Sequence, residues 1–262
     1  MATIVLIHGA WLGGWVWSRV TPDLRARGHT VFAPTLTGLG EREHLLGPDI
    51  DLELHATDVL NLLEYEDLQR VLLVGHGYGG AVAQRVASVA PERIGRLIFL
   101  DATLVRDGAT LHKTIGAAAE LLRTRAYFEG DDDGDDEDRG RDGDGEGRIG
   151  VYAPDAGLLL DGLVKRDADW AEERLTPMPI APFDQVLDLA AFHRPDRPTI
   201  VVRCDNGDPH AASGREIATA LGLPYSEIAG GHLVMLTKPE PTAELIDNFA
   251  RQPAALFAST PQ

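Results

Sequence analysis

The chain has 262 residues, 44% of them hydrophobic, and a formal net charge of −17. That length suits one α/β domain with an insertion and is enough for a large buried core. The negative charge argues against nucleic acid or an anionic membrane as partner, and no apolar run approaches the roughly 18–20 residues that span a bilayer.

Residues 3–8 form an apolar run and read as a buried strand. Nothing before them resembles a basic leader or a cleavage site, so a cytoplasmic location is expected. The lone Cys204 cannot close an internal disulfide, which fits a reducing compartment. His8-Gly9-Ala10 ends the strand, and a loose Gly-rich loop runs from Trp11 to Gly14. Such a loop can aim backbone N–H groups into a site. Residues 15–27 have helical spacing through Trp17, Val20 and Leu24 and stop at Gly28. Residues 30–33 are a second strand. Residues 52–65 are amphipathic, with Leu54, Val59, Leu62 and Leu63 as the expected core face.

The central strand, 70–74, leads into Val74-Gly75-His76-Gly77-Tyr78-Gly79-Gly80. This is the frame G-x-S-x-G, in which a sharp strand-to-helix turn lifts a serine hydroxyl above a sheet. The serine position holds Gly77. A helix is expected from Tyr78 to Val89, then a strand over 96–100 that ends at Asp101.

Residues 103–195 break the rhythm. They carry helical patches at 114–127, 158–164 and 169–174, and a proline-rich stretch at Pro177, Pro179 and Pro182. Between them, residues 129–148 hold eleven acids against three arginines. Glycine alternating with aspartate buries little apolar area, so a solvated loop is expected. The best calcium-loop register (Asp135, Glu137, Gly140, Glu146) places Arg139 where a ligand belongs, so no metal is expected. The whole insertion reads as a helical cap. The regular pattern then resumes with a strand at 199–204, a helix at 212–221, a strand at 224–228 and a final helix near 241–251. Strands alternating with helices predict a mostly parallel sheet covered on both faces. The chain therefore divides into a core over 1–102, the cap over 103–195, and the rest of the core over 196–262.

Three pieces fall where catalysis would need them. Gly230-Gly231-His232 follows the last strand, and a base at His232 can reach the turn at Gly77. An acid should orient that base. Asp208 is preferred and Asp205 is the alternative, both beyond the strand ending at Cys204; Asp101 is a third possibility. The N–H groups of Ala10 and Tyr78 would form an oxyanion hole. His76 and Tyr78 are candidate substitutes for the missing hydroxyl, although a histidine at 76 normally packs beneath the turn. A pocket between sheet and cap is expected from Trp11, Leu12, His76, Tyr78, Leu104, Phe183 and the stretch 158–160, with an apolar lining that suits a hydrophobic substrate.

These motifs resemble the α/β-hydrolase superfamily. They are most similar to the small branch of plant methylesterases, hydroxynitrile lyases and bacterial esterase relatives. The resemblance rests on Val5-Leu6-Ile7-His8-Gly9-Ala10 with Gly14, Trp15 and Trp17; on Gly28-His29; on Glu64 and Leu68; on Val74 to Gly80; and on Gly231-His232 with Met235-Leu236. It covers the core well and the cap poorly. It implies the α/β-hydrolase fold, a mostly parallel sheet flanked by helices, and a nucleophile–acid–histidine order. Gly77 departs from the branch's serine and closes the acyl-enzyme route. Leu233 stands where its cyanohydrin lyases carry a lysine, and Trp11 replaces their small hydroxyl residue, so the methylesterase half is the closer match.

Three functions remain open. The first is a serine-less enzyme that uses His232 as a base on a small, largely apolar carbonyl compound such as an ester, lactone or polyketide-like metabolite. Water activation, elimination, cyclisation and C–C bond chemistry all fit. The second is a carboxylesterase whose serine has been replaced by glycine. The third is a small-molecule binder without chemistry. A small molecule is the expected partner, without nucleic acid, membrane or cofactor; a homodimer is compatible.

Overall fold

The computed structural model describes residues 1–129, 149–192, 194, 196–206 and 213–253. Most of the acidic run and Asp208 lie outside them. In chain order the core begins with β1 (Thr3–Ile7), α1 (Thr21–Ala26), β2 (Thr30–Phe32), α2 (Leu52–Tyr65), β3 (Val71–His76), α3 (Gly79–Val89) and β4 (Ile94–Leu100). The intervening part holds α4 (Leu111–Ile115), α5 (Ala117–Arg123), β5 (Ala126–Glu129), β6 (Ile149–Tyr152), α6 (Ala156–Leu159), α7 (Lys165–Glu172), β7 (Met178–Pro179) and α8 (Ala181–Asp184). The core then closes with β8 (Thr199–Asn206), α9 (Ser213–Leu221), β9 (Tyr225–Gly231), α10 (Val234–Thr237) and α11 (Pro239–Arg251).

Six strands form one sheet in the order β2-β1-β3-β4-β8-β9, and each neighbouring pair is parallel. Apolar residues on both sides of the inner strands β1, β3 and β4 explain why. Val5, Leu73 and Phe99 join one core cluster, while Ile4, Leu72 and Ile98 join the other. A strand buried on both faces needs helices above and below, and parallel crossovers supply them. β3 and β4 lie inside the sheet, so their carboxyl ends open onto a protected edge.

Two expectations need correction. The run from Trp15 is not one helix: a 3₁₀ turn covers Gly14–Trp17 and α1 starts afresh with Pro22 in its first turn. Proline fits a first turn, where its missing N–H costs nothing. The cap is not purely helical either. β5, β6 and β7 pair as a small antiparallel sheet, so the helical patch expected to reach Tyr127 ends at Arg123. No helix among the described residues is long and apolar enough to cross a membrane.

Candidate active site

The turn from β3 into α3 is built by close approach. A Cβ on Gly79 would lie 2.5 Å from the His8 carbonyl oxygen, so only glycine lets the first turn of α3 sit against β1. Gly77 has φ +52, in the left-handed region that disfavours side chains. A Cβ built there would point at His232, 3.2 Å from Nε2 and 3.3 Å from Cε1.

His232 follows β9 and is 7% exposed. Its Nδ1 lies 2.7 Å from Asp101 Oδ2. With a carboxylate there, Nδ1 carries the proton and donates, and Nε2 presents its lone pair toward Gly77. Asp101 comes directly after β4. Its other oxygen, Oδ1, accepts from the Cys204 N–H at 3.1 Å, and its own N–H donates to the Val202 carbonyl at 2.7 Å. β8 thus holds both the backbone and the carboxylate of Asp101. Asp101 adopts φ +43, a strained conformation for a residue with a side chain, and such strain concentrates at functional sites.

This geometry corrects the order of the acids. The carboxylate at His232 Nδ1 belongs to Asp101, the third choice from sequence. Asp205 instead accepts from the Gly230 N–H at 2.8 Å and is exposed. It braces the loop that carries His232 and does not orient the ring. Asp208 lies outside the described residues.

Two backbone donors border the same space. The Gly77 carbonyl accepts from the N–H groups of Gly80 at 3.1 Å and Thr103 at 3.0 Å. Because the peptide is planar and trans, pinning that carbonyl outward turns the Tyr78 N–H the opposite way, into the cavity. The Gly9 carbonyl is pinned likewise, accepting from His8 Nδ1 at 2.8 Å, which turns out the Ala10 N–H. Among the described residues, neither N–H donates to a protein acceptor. His8 Nε2 in turn accepts from the Leu36 N–H at 3.0 Å. Burial keeps His8 neutral and pulls its pKa down to about 4, so the tautomer that holds the Gly9 carbonyl persists through the neutral range.

His76 lies behind His232. Its Nε2 donates to the His232 carbonyl at 3.0 Å, and the two rings sit 4.2 Å apart. Burial, then the neighbouring His232, holds its pKa well below the usual histidine range. It braces the loop that carries His232 and does not line the cavity. The Tyr78 hydroxyl is also committed. His55 Nε2 donates to the Thr37 carbonyl at 2.9 Å, so His55 Nδ1 accepts from Tyr78 Oη at 2.8 Å. Neither side chain stands in for a serine hydroxyl.

The cavity over Gly77 and His232 measures about 40 Å³. Of the residues read as pocket lining, Trp11, Tyr78 and Phe183 border it, together with Ala10, whereas Leu12, His76 and Leu104 do not. Leu12 and Leu104 are wholly buried in the two core clusters. Leu159 and Leu160 likewise pack in the core. Thr103, Leu111, Ile115 and Leu122 complete the wall and were not foreseen. Thr103 stood two residues beyond Asp101 and had a signal of its own, since the strand end that supplies an acid also supplies its neighbours. The three aliphatic residues sit on α4 and α5 or just before α5's end, and a cap of uncertain register gave no such signal. Trp11, at φ +63, ties wall to cap: its Nε1–H donates to the Tyr152 carbonyl at 2.9 Å, and its carbonyl accepts from the Thr176 N–H at 3.1 Å.

A histidine–aspartate pair facing two unengaged N–H donors at the carboxyl edge of a parallel sheet is the equipment of acyl-transfer enzymes. The chain belongs to the alpha/beta hydrolase family, whose model matches residues 4–245. It is similar to the carbendazim hydrolyzing esterase of Nocardioides sp. strain SG-4G, with 34% identity over 93% of this chain and 98% of that protein. It is also similar to the putative methylesterase 14, chloroplastic, of Arabidopsis thaliana, at 34% identity over 40% of this chain and 30% of that one. Among solved structures, an extracellular alpha/beta-hydrolase from a Paenibacillus species shares the fold, with a TM-score of 0.77 and 24% identity over 96% of this chain and 100% of that one.

Proposed function

We propose that this protein is a serine-less, esterase-type enzyme that acts on a small, largely apolar carbonyl compound by general-base chemistry. The observation that carries the reading is the oriented base: His232, held by Asp101, aims Nε2 into a cavity bordered by two N–H donors and by no nucleophilic side chain at position 77. In the reaction, Nε2 takes a proton from water or from a carbon next to the carbonyl. Asp101 stabilises the imidazolium that results. The Ala10 and Tyr78 N–H groups receive the charge that develops on the carbonyl oxygen. Proton transfer of this kind contributes about 10²–10⁴-fold, and each oxyanion donor about 10²–10³-fold.

The full-length likeness to a carbendazim hydrolyzing esterase supports an ester or carbamate as the carbonyl class. The wall of Trp11, Tyr78, Leu111, Ile115, Leu122 and Phe183 supports an apolar substituent beside it. A second reading, an esterase whose serine has become glycine, is favoured by the vector from Gly77 to Nε2.

Turnover of a panel of aryl esters and carbamates, followed by intact-mass measurement during reaction, tests the proposal. Product formation with the protein mass unchanged is expected. A transient acyl adduct would refute the non-covalent route, and a panel with no turnover at all would leave the binder as the better description.

A further inference from the structure

The strands that bring the catalytic groups together at their carboxyl ends meet different chemistry at their amino ends. Arg70 directly precedes β3, Glu92 lies two residues before β4, and Arg197 lies two before β8. With Arg194 and Asp196 they border a hollow of about 270 Å³. β3 has six residues, so at about 3.3 Å per residue this hollow is about 20 Å from Gly77.

Arg197 is the unusual group. It is only 6% exposed, and none of its three guanidinium nitrogens meets an acceptor among the described residues. Burial, then the neighbouring Arg194, pulls its pKa down to about 10, so the group still carries its charge at neutral pH. A buried cation without a partner is costly. The nearest acid does not relieve it: Asp196 accepts from Arg194 Nε at 3.3 Å and Nη2 at 3.2 Å. Arg70 makes no ion pair among the described residues and stands exposed at the rim. The charged lining of the hollow is Arg70, Arg194 and Arg197 against Glu92 and Asp196, and Asp196 is taken up by Arg194, which leaves Arg197 as the buried cation to be matched.

We propose that this hollow binds a small oxyanion, with Arg197 as the buried anchor and Arg70 and Arg194 at the mouth. A phosphate or carboxylate group supplies the paired acceptor oxygens that a planar guanidinium fork fits. The volume leaves room for the rest of a small metabolite carrying that group. The site lies at the opposite end of the sheet from the cavity over His232, so its ligand is not the substrate.

The test compares the parent chain with Arg197→Met by thermal melting and titration calorimetry, using potassium phosphate, potassium acetate and potassium chloride at matched ionic strength. Phosphate also stabilises proteins by exclusion from their surface, and that effect is common to both proteins. Stabilisation and heat of binding in the parent that the variant loses support the site; a phosphate response marks a tetrahedral anion and an acetate response a carboxylate. In chloride, Arg197→Met should melt no lower than the parent, because the substitution removes an unpaired buried charge. Arg70→Ala, on the exposed rim, should fold normally and weaken binding about tenfold. No response to either anion, an equal response in parent and Arg197→Met, or a large loss of stability of that variant in chloride would overturn the proposal.

Discussion

Gly77→Ser adds one carbon and one hydroxyl at the point where the chain turns from β3 into α3. Two costs can be worked from the structure. The backbone is left-handed there, at φ +52, which costs a residue with a side chain about 1–2 kcal/mol. The new Cβ would also lie 3.2 Å from His232 Nε2, 3.3 Å from its Cε1 and 3.4 Å from Gly9 Cα. The imidazole must therefore retreat by a few tenths of an ångström, pivoting on its bond to Asp101. A total near about 2 kcal/mol is expected, which lowers the melting temperature by about 2–4 °C per kcal/mol for a domain of this size. The fold survives, and the hydroxyl arrives within reach of Nε2 and beside the Ala10 and Tyr78 N–H groups. The variant should then react with a fluorophosphonate probe at position 77 and release product from simple aryl esters through an acyl intermediate. The parent should stay unlabelled at that position. A folded Gly77→Ser that neither labels nor forms an acyl intermediate would show that base and donors do not converge as described.

Other substitutions probe the supports of the site. Asp101→Asn keeps the side chain's shape but removes the charge that fixes the His232 tautomer; turnover should fall by about 10²–10⁴-fold while the melting temperature moves far less. Gly79→Ala places a carbon 2.5 Å from the His8 carbonyl oxygen, a backbone atom that cannot step aside. A loss of more than about 3 kcal/mol or failure to fold is expected, and a variant that melts like the parent would contradict the packing of α3 on β1. Stability should also fall on mild acidification. His8 titrates near pH 4 in the folded chain but near pH 6.5 when unfolded. The unfolded chain binds the proton first, so this group's contribution is complete above pH 6.5 and is lost as pH falls toward 4. The full loss is about 3 kcal/mol. His55 and His76 are shifted in the same direction by burial and add to the slope. Denaturation midpoints between pH 7.5 and 4.5 should show a shallower slope for His8→Gln; an unchanged slope would exclude His8 as a source.

The core was legible because its signals are local. A short apolar run marks each inner strand (Ile4–Ile7, Val71–Val74, Leu97–Leu100, Ile200–Val202), and the alternation with helices defines the parallel sheet. The glycines at 75, 77, 79 and 80 located the turn, and Gly231-His232 located the histidine that faces it. The acid was harder. Counting along the chain favoured the loop after Cys204, but the carboxylate that reaches His232 sits at the end of β4 and is fixed by contacts with Val202 and Cys204 on the neighbouring strand. Such contacts across about a hundred residues leave no periodicity in the sequence. Asp101 did carry one signal: it is a single charged residue that follows the apolar run Leu97 to Leu100 at the end of β4, beside β3, which leads into Gly77. The cap failed for a related reason. The alanines and leucines of residues 117–122 read as helix and carried that reading into Tyr127, but β5 takes its form from pairing with Ile149–Tyr152 on the far side of the acidic run. Strand propensity depends on what lies opposite, and the partner was remote.

The most direct measurement is the rate of the parent chain beside His232→Ala on any carbonyl substrate that the panel yields, with folding of both checked by circular dichroism. A base that takes the proton in the rate-limiting step predicts a fall of about 10²–10⁴-fold in kcat, with an unmodified protein mass throughout. Equal rates in the two proteins would contradict His232 as the base and with it the proposed chemistry of the site.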